Sequence, residues 1–399
     1  MTTDIYAQFG IPPIVNAVGY ASRVSGSCPH PDVIAAMAAA STQYVEIDDV
    51  LRAASQLIQR STGAEAGIIT CGAAAALTLA AAACLAGNRP ELMDALPDAS
   101  QCPRDEIIYP LAGPFDYDHP IRLSGAKLVS LDYKAPDALA QIERQIHART
   151  AAIGWVWLSM TEIPDLTALI ELAHRHGLPV IIDAAFSMLP VENLTSFIHR
   201  GADLVAYSGG KHLGGPQASG ILCGRTGLIR SAWVQMVDMD VRAGTWSLQA
   251  WIDEGWISRP PRHGIGRSMK VSKESMIGLM AALERYAKRD HQAEIVQWHA
   301  AIDEIQQGLS GITELRITKR SQAANGQPYP NLLIESGTPP TGMTVRRLIL
   351  KLRSRPKKII LAEDETNPDQ AVLNPNCLLP GDAGEIVTSI RNVIAEHRR

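Results

Sequence analysis

The chain has 399 residues, 46% of them hydrophobic and 20% charged, a globular composition long enough for two domains or one large domain with an appendage. Its formal net charge of -4 offers no electrostatic footprint for a nucleic-acid backbone, and the composition leaves no room for a long disordered segment. Six cysteines, Cys28, Cys71, Cys84, Cys102, Cys223 and Cys377, show no CxxC spacing and read as reduced thiols of a cytoplasmic protein.

Residues 1–30 alternate apolar and turn residues and read as an irregular arm with no signal peptide. A helix is predicted from Pro31 to Ala40 and a second from Asp48 to Ser61, ended by Gly63. A short strand, Gly67 to Thr70, then leads through Cys71 and Gly72 into an alanine-rich run ending at Gly87. That run is too short to span a bilayer and reads as a buried helix. Unpaired N–H groups at its start suit an anion, although close helix–sheet packing explains the same small residues equally well.

From Glu106 strands and helices alternate. Strands are predicted at 107–109, 127–131, 151–158, 179–182 and 203–207, with helices at 118–123, 137–148, 165–176 and 194–200, a pattern that implies a mostly parallel sheet. Ser219 to Gly224 reads as a further strand, antiparallel and next to the preceding loop. The Pro- and Gly-rich stretch from Arg259 to Gly266 reads as a domain boundary. One long helix is then expected from Ser272 to Gln307, followed by strands near 314–318, 331–334 and 359–361 and helices near 344–352 and 382–397.

The chemistry concentrates in Ser208-Gly209-Gly210-Lys211-His212-Leu213-Gly214-Gly215, one lysine among four glycines at the end of a buried strand. Burial there disfavours the ammonium form, which suits a Schiff-base nucleophile. A nucleotide P-loop fails, because Val205 stands where its first glycine belongs and His212 where Ser or Thr belongs. Asp183 ends the preceding strand 28 residues earlier, one crossover helix away, so the two side chains face one cleft at the carboxyl edge of a parallel sheet. His174 and His176 sit at a helix C-terminus, where the dipole favours histidine, and no metal is expected. Trp155 and Trp157 read as core.

With these residues in place the chain resembles the fold type I pyridoxal phosphate enzymes, and more narrowly the SelA-like group, which includes L-seryl-tRNA selenium transferase and D-glucosaminate-6-phosphate ammonia-lyase. The resemblance rests on Val180 to Ala185, Gly201 to Gly220, Gly266 to Glu274 and Tyr44 to Asp49, and extends from about residue 10 to the end. It implies an α/β fold of the aspartate aminotransferase type, with a large, mostly parallel-sheet domain and a smaller α+β C-terminal domain. The expected division is an N-terminal arm with helices at 1–60, a cofactor-binding domain at 61–262 and a small domain at 263–399. Pyridoxal 5'-phosphate is the implied cofactor, with Lys211 as Schiff-base lysine and general base and Asp183 holding the ring nitrogen. Cys71, Gly72, Ala73 and Ser208 are expected at the phosphate, Ala185 against the cofactor and Phe115 stacked on the ring. Arg267, Lys270 and Lys273 stand as binders of phosphate or a substrate carboxylate, with a solvated basic helix start as the alternative. The segment from Leu111 to Tyr117 departs from the basic and polar residues of the ammonia-lyase relatives, which leaves the phosphosugar substrate open. The implied activity is elimination with release of ammonia from an amino acid or amino sugar acid by a homodimer or larger homo-oligomer. A transferase, racemase, aldolase or aminotransferase would use the same lysine.

Overall fold

A computed structural model describes residues 5–110, 117–162, 164–238, 240–337, 342–364 and 367–399. Among these residues twelve strands form two sheets. They are β1 (Ile14–Ala17), β2 (Ala66–Thr70), β3 (Glu106–Pro110), β4 (Lys127–Leu131), β5 (Thr150–Val156), β6 (Val180–Asp183), β7 (Leu204–Ser208), β8 (Gly220–Gly224), β9 (Leu315–Arg320), β10 (Asn331–Ser336), β11 (Lys358–Glu363) and β12 (Gln370–Leu373). The chain divides into two compact units, one of residues 29–289 and one of residues 1–28 with 290–399. The Pro/Gly stretch read as a boundary therefore lies inside the larger unit.

In that unit the strand order is β2-β8-β7-β6-β5-β3-β4. β7, β6, β5, β3 and β4 are mutually parallel, while β8 runs antiparallel to both β7 and β2. β2 consequently runs with the parallel set, and the carboxyl ends of six strands share one edge. The helix Ala73–Ala86 packs on β8, β7, β6 and β5, buried along nearly its whole length. It is apolar on every side, as a helix enclosed within a domain must be, and its alanine methyls allow close approach to the sheet. The helix Ile47–Thr62 lies directly on β2, where a Cβ at Gly67 would stand 2.4 Å from Ile58 Cγ2.

Buried Asp105, just before β3, accepts hydrogen bonds from Arg149 Nε (2.9 Å) and Nη2 (2.6 Å), and Lys127 Nζ lies 3.0 Å away. Those bonds hold its carboxyl down at about 2 despite burial. A depressed folded-state value stabilises the protein above the unfolded value of about 3.9, an advantage lost as pH falls through about 2. Asp105→Asn is therefore expected to lower the urea midpoint at pH 6, with the gap to wild type closing between pH 4 and pH 2. A gap that stays constant with pH would contradict the assignment.

The smaller unit carries the order β1-β11-β12-β10-β9, with β1 parallel to β11 and the other pairs antiparallel. The helices Val345–Arg353 and Asp382–His397 bury Leu348, Leu352, Ile386 and Ile390 in its core. Two expectations need correction here. The arm predicted as irregular contributes β1, a four-residue strand whose partner, β11, lies far along the chain. The single helix expected from Ser272 to Gln307 is two, Lys273–Lys288 and His291–Gly308. The break lies at Arg289-Asp290, where the Asp290 carboxylate accepts the Ala293 N–H (2.9 Å) and caps the second helix. Apolar periodicity ran straight across this start signal. Among the described residues no helix is long and apolar enough to cross a membrane.

Candidate active site

Asp183 is the last residue of β6, 7% exposed, and its main-chain carbonyl is held by the Trp157 N–H (2.9 Å). One carboxylate oxygen accepts the Ala185 N–H at 3.0 Å. Burial pushes this carboxyl above the ordinary range, against the pull of the Ala185 N–H and the Lys211 charge. Lys211 lies three residues past β7. Burial brings its amine below the usual lysine value, opposed by Asp183. For both groups desolvation outweighs mutual attraction, and among the described residues they form no direct ion pair. Burial thus shifts the amine toward its neutral, nucleophilic form beside a carboxylate oriented by the Ala185 N–H.

The loop that carries Lys211 is tightly folded. Gly209 N–H donates to Ser219 O (2.9 Å), Gly215 N–H to Gly209 O (2.9 Å) and Gly214 N–H to Lys211 O (2.9 Å). A Cβ at Gly210 would lie 2.5 Å from Gln217 Cα, so only glycine lets the two arms of the loop meet. Arg289 holds the adjacent His212 carbonyl through Nη2 at 2.8 Å.

The third component comes from β2. Thr70 Oγ1 donates to the Gly72 carbonyl (2.9 Å), and Gly72, at φ +148°, turns the chain into the helix Ala73–Ala86. No side chain caps this helix, and Ala76 N–H is the first to bond back, to Gly72 O (3.0 Å). The first-turn donors are thus available to an anion. Strand register ties this turn to the lysine arm, because Gly220 of β8 pairs with Thr70 on one side and Ser208 on the other. A Cβ at Gly220 would meet the Gly72 carbonyl carbon at 2.5 Å and Ala73 N at 2.7 Å. The helix start rests directly on that glycine.

Asp183, Ala185, Lys211, Ser208, Cys71, Gly72 and Ala73 therefore emerge from one edge of one sheet. Half-buried Cys71 keeps a thiol raised by burial. Arg267 follows a different course. It lies in the turn Ile265–Met269, which packs beside Leu79 of the alanine helix, and its guanidinium faces Asp238 at 3.4 Å. Lys273 pairs with Glu274, and Lys270 is exposed. Phe115 lies outside the described residues. His174 bonds the buried carboxylate of Asp203 at 2.9 Å, not Asp183. A cavity of about 650 Å³ near His174, Arg225 and Trp256 sits at the opposite edge of the sheet, and none of the site residues line it.

Sequence reading missed Phe186. Its ring lies beneath Lys211 Nζ, 4.9 Å from the centroid, and meets His212 edge-on at 6.5 Å. Its position three residues after Asp183, on the same turn, was the available signal.

The family model for SelA, L-seryl-tRNA selenium transferase, matches residues 32–243, more than half of the chain. The chain is 28% identical to a D-glucosaminate-6-phosphate ammonia lyase of Salmonella typhimurium (strain 14028s / SGSC 2262), with 100% of this chain and 99% of that protein covered. It is 26% identical to a 5'-C-glycyluridine monooxygenase-decarboxylase of Streptomyces sp, over 98% and 92% of the two chains. A solved D-glucosaminate-6-phosphate ammonia-lyase superposes with a TM-score of 0.80 and 26% identity over 100% of both chains. A cysteine desulfurase from Escherichia coli, 17% identical with a TM-score of 0.57, covers 99% of this chain and 100% of its own, and shares the fold. The chain belongs to the SelA family of fold type I enzymes.

Proposed function

We propose that the protein is a pyridoxal 5'-phosphate-dependent lyase that eliminates ammonia from an amino acid or amino sugar acid. The observation that carries this reading is the shared sheet edge, where a buried carboxylate at the end of β6, a desolvated amine just past β7 and an uncapped helix start just past β2 stand at the carboxyl ends of parallel strands. Each matches one part of the cofactor: ring nitrogen, aldehyde and phosphate. When bound, the cofactor supplies an electron sink for charge developing at the substrate α-carbon.

The remaining work falls to the chain. Asp183 would hold its carboxyl group in a fixed place for the ring nitrogen, oriented by the Ala185 N–H. Lys211 would hold the cofactor through its amine and, when that amine is free, would take the substrate's α-proton onto Nζ; the lowering of its value by burial increases the neutral fraction for that task. The N–H groups of Ala73 and its neighbours bind phosphate, helped by the Ser208 hydroxyl. Arg267 is assigned to a phosphate or substrate carboxylate, reached by exchanging its contact with Asp238. Phe115 is assigned to ring stacking.

The lyase reading draws on the ammonia lyases among the relatives matched over their full length. We further propose a cytoplasmic homodimer or larger homo-oligomer acting on a small molecule without nucleic acid, consistent with a net charge of -4 and free cysteines. Light scattering on the purified protein checks the assembly. The deciding assay is a spectral screen of D- and L-amino acids, hydroxyamino acids and phosphorylated amino sugars, with ammonia and keto acid measured in parallel. Ammonia together with a keto acid is the expected outcome. Racemisation, or amino transfer to an added keto acid without net ammonia, would replace the lyase reading.

Gly220→Ala tests the phosphate cradle. The added methyl must displace main-chain atoms of Gly72 and Ala73, and overpacking of this kind costs about 1–3 kcal/mol. Cofactor affinity is expected to fall by about tenfold or more while the far-ultraviolet spectrum stays unchanged. Unaltered affinity would mean that phosphate binds elsewhere.

A further inference from the structure

Lys211 is held by more than its loop. Its amine is desolvated, and the ring of Phe186 faces it at 4.9 Å, within the range over which an aromatic face attracts a cation. That ring is itself fixed by edge contact with His212, whose carbonyl is pinned by Arg289. The charged and titratable groups gathered there include Asp183 from β6, with Tyr109 from β3 beside it, His212 from the loop, and Arg289 over the ring of Tyr286 from the helix Lys273–Lys288 and its end. The Phe186 ring face adds an attractive surface without adding a formal charge.

We propose that Phe186 is a positioning residue for Lys211, its ring face holding the amine at a fixed place beside Asp183 and partly offsetting the desolvation that favours the neutral form whenever that amine is not covalently engaged. The proposal rests on the function assigned to Lys211 above. The ring does what a second carboxylate would do less well, since a full negative charge would lock the amine in its protonated state. A quadrupole stabilises the ammonium by a smaller amount that a reacting aldehyde can overcome. The lysine is then parked and still available.

The test is the pH dependence of borohydride-trapped adduct formation when pyridoxal 5'-phosphate is added to the full-length apoprotein. Phe186→Leu keeps an apolar side chain without the ring face, and its profile is expected to shift to lower pH by about one unit. Phe186→Tyr keeps the face and is expected to stay within a few tenths of a unit of wild type. An unshifted or upward-shifted leucine profile, or a tyrosine profile that moves with leucine, would overturn the proposal. If no protein forms an adduct at any pH, the cofactor role of Lys211 fails instead. The ring's part is then decided on the same variants by trinitrobenzenesulfonate labelling of Lys211, mapped by peptide mass, with the same downward shift required of leucine alone.

Discussion

Lys211→Ala is expected to abolish turnover, with a fall of at least about 10²–10⁴-fold from loss of the general base alone. The loss should be larger still, because the same amine holds the cofactor. Two readouts separate these roles. Borohydride reduction followed by peptide mass should place the wild-type adduct on Lys211 and find none in the variant, while cofactor affinity should fall without vanishing, since the phosphate cradle and Asp183 are untouched. Added small amines are expected to restore a few per cent of activity, because the cleft left between Asp183 and the loop can admit a base that the chain no longer supplies. An adduct that survives in Lys211→Ala would move the chemistry to another lysine and remove the basis of the site.

Asp183→Asn carries the second large effect. The substitution preserves shape but removes the charge, and with it a charge-assisted hydrogen bond of about 1.5–3 kcal/mol, which corresponds to about ten- to a hundredfold in rate. A second consequence follows from the coupling between the two groups. The carboxylate raises the Lys211 value against the desolvation that lowers it, so its removal leaves desolvation less opposed. The limb of the pH–rate profile that reports the amine is expected to move to lower pH in Asp183→Asn. A variant that lost rate with no movement of that limb would show that Asp183 and Lys211 do not share a cleft.

The sequence disclosed the sheet and the pair at its edge through strong local signals. Lys211 stood out because glycines on both sides of a charged residue at a strand end have few structural uses, and Asp183 because an ionisable residue closes an apolar strand. The antiparallel strand beside the lysine loop was also legible, as a short apolar run directly after it. What escaped was set by contacts distant in sequence. β1 is defined only by its pairing with β11, more than three hundred residues away, and the long predicted helix broke because a cap outweighed periodicity at Asp290. Phe186 reads as ordinary core until Lys211 is seen above it. The basic run at Arg267 to Lys273 showed its charges without their partners, and the structure supplies Asp238 for one and Glu274 for another.

The pairing of β2 with β8 also governs how the site comes into being. Ala66 meets Gly224 and Thr70 meets Gly220, so the strand that leads into the anion cradle has to wait for about 150 more residues of chain before its partner exists. At roughly 5–20 residues per second of synthesis, that wait lasts on the order of ten seconds. During it Ile68 and Ile69, both fully buried in the finished protein, lack the strand that will pair with them. Closing a loop of that length also slows the step once the partner has emerged. Nascent chains truncated before residue 220 should depend on chaperones and bind no cofactor. Cradle and lysine arm can therefore be joined only after β8 has been made.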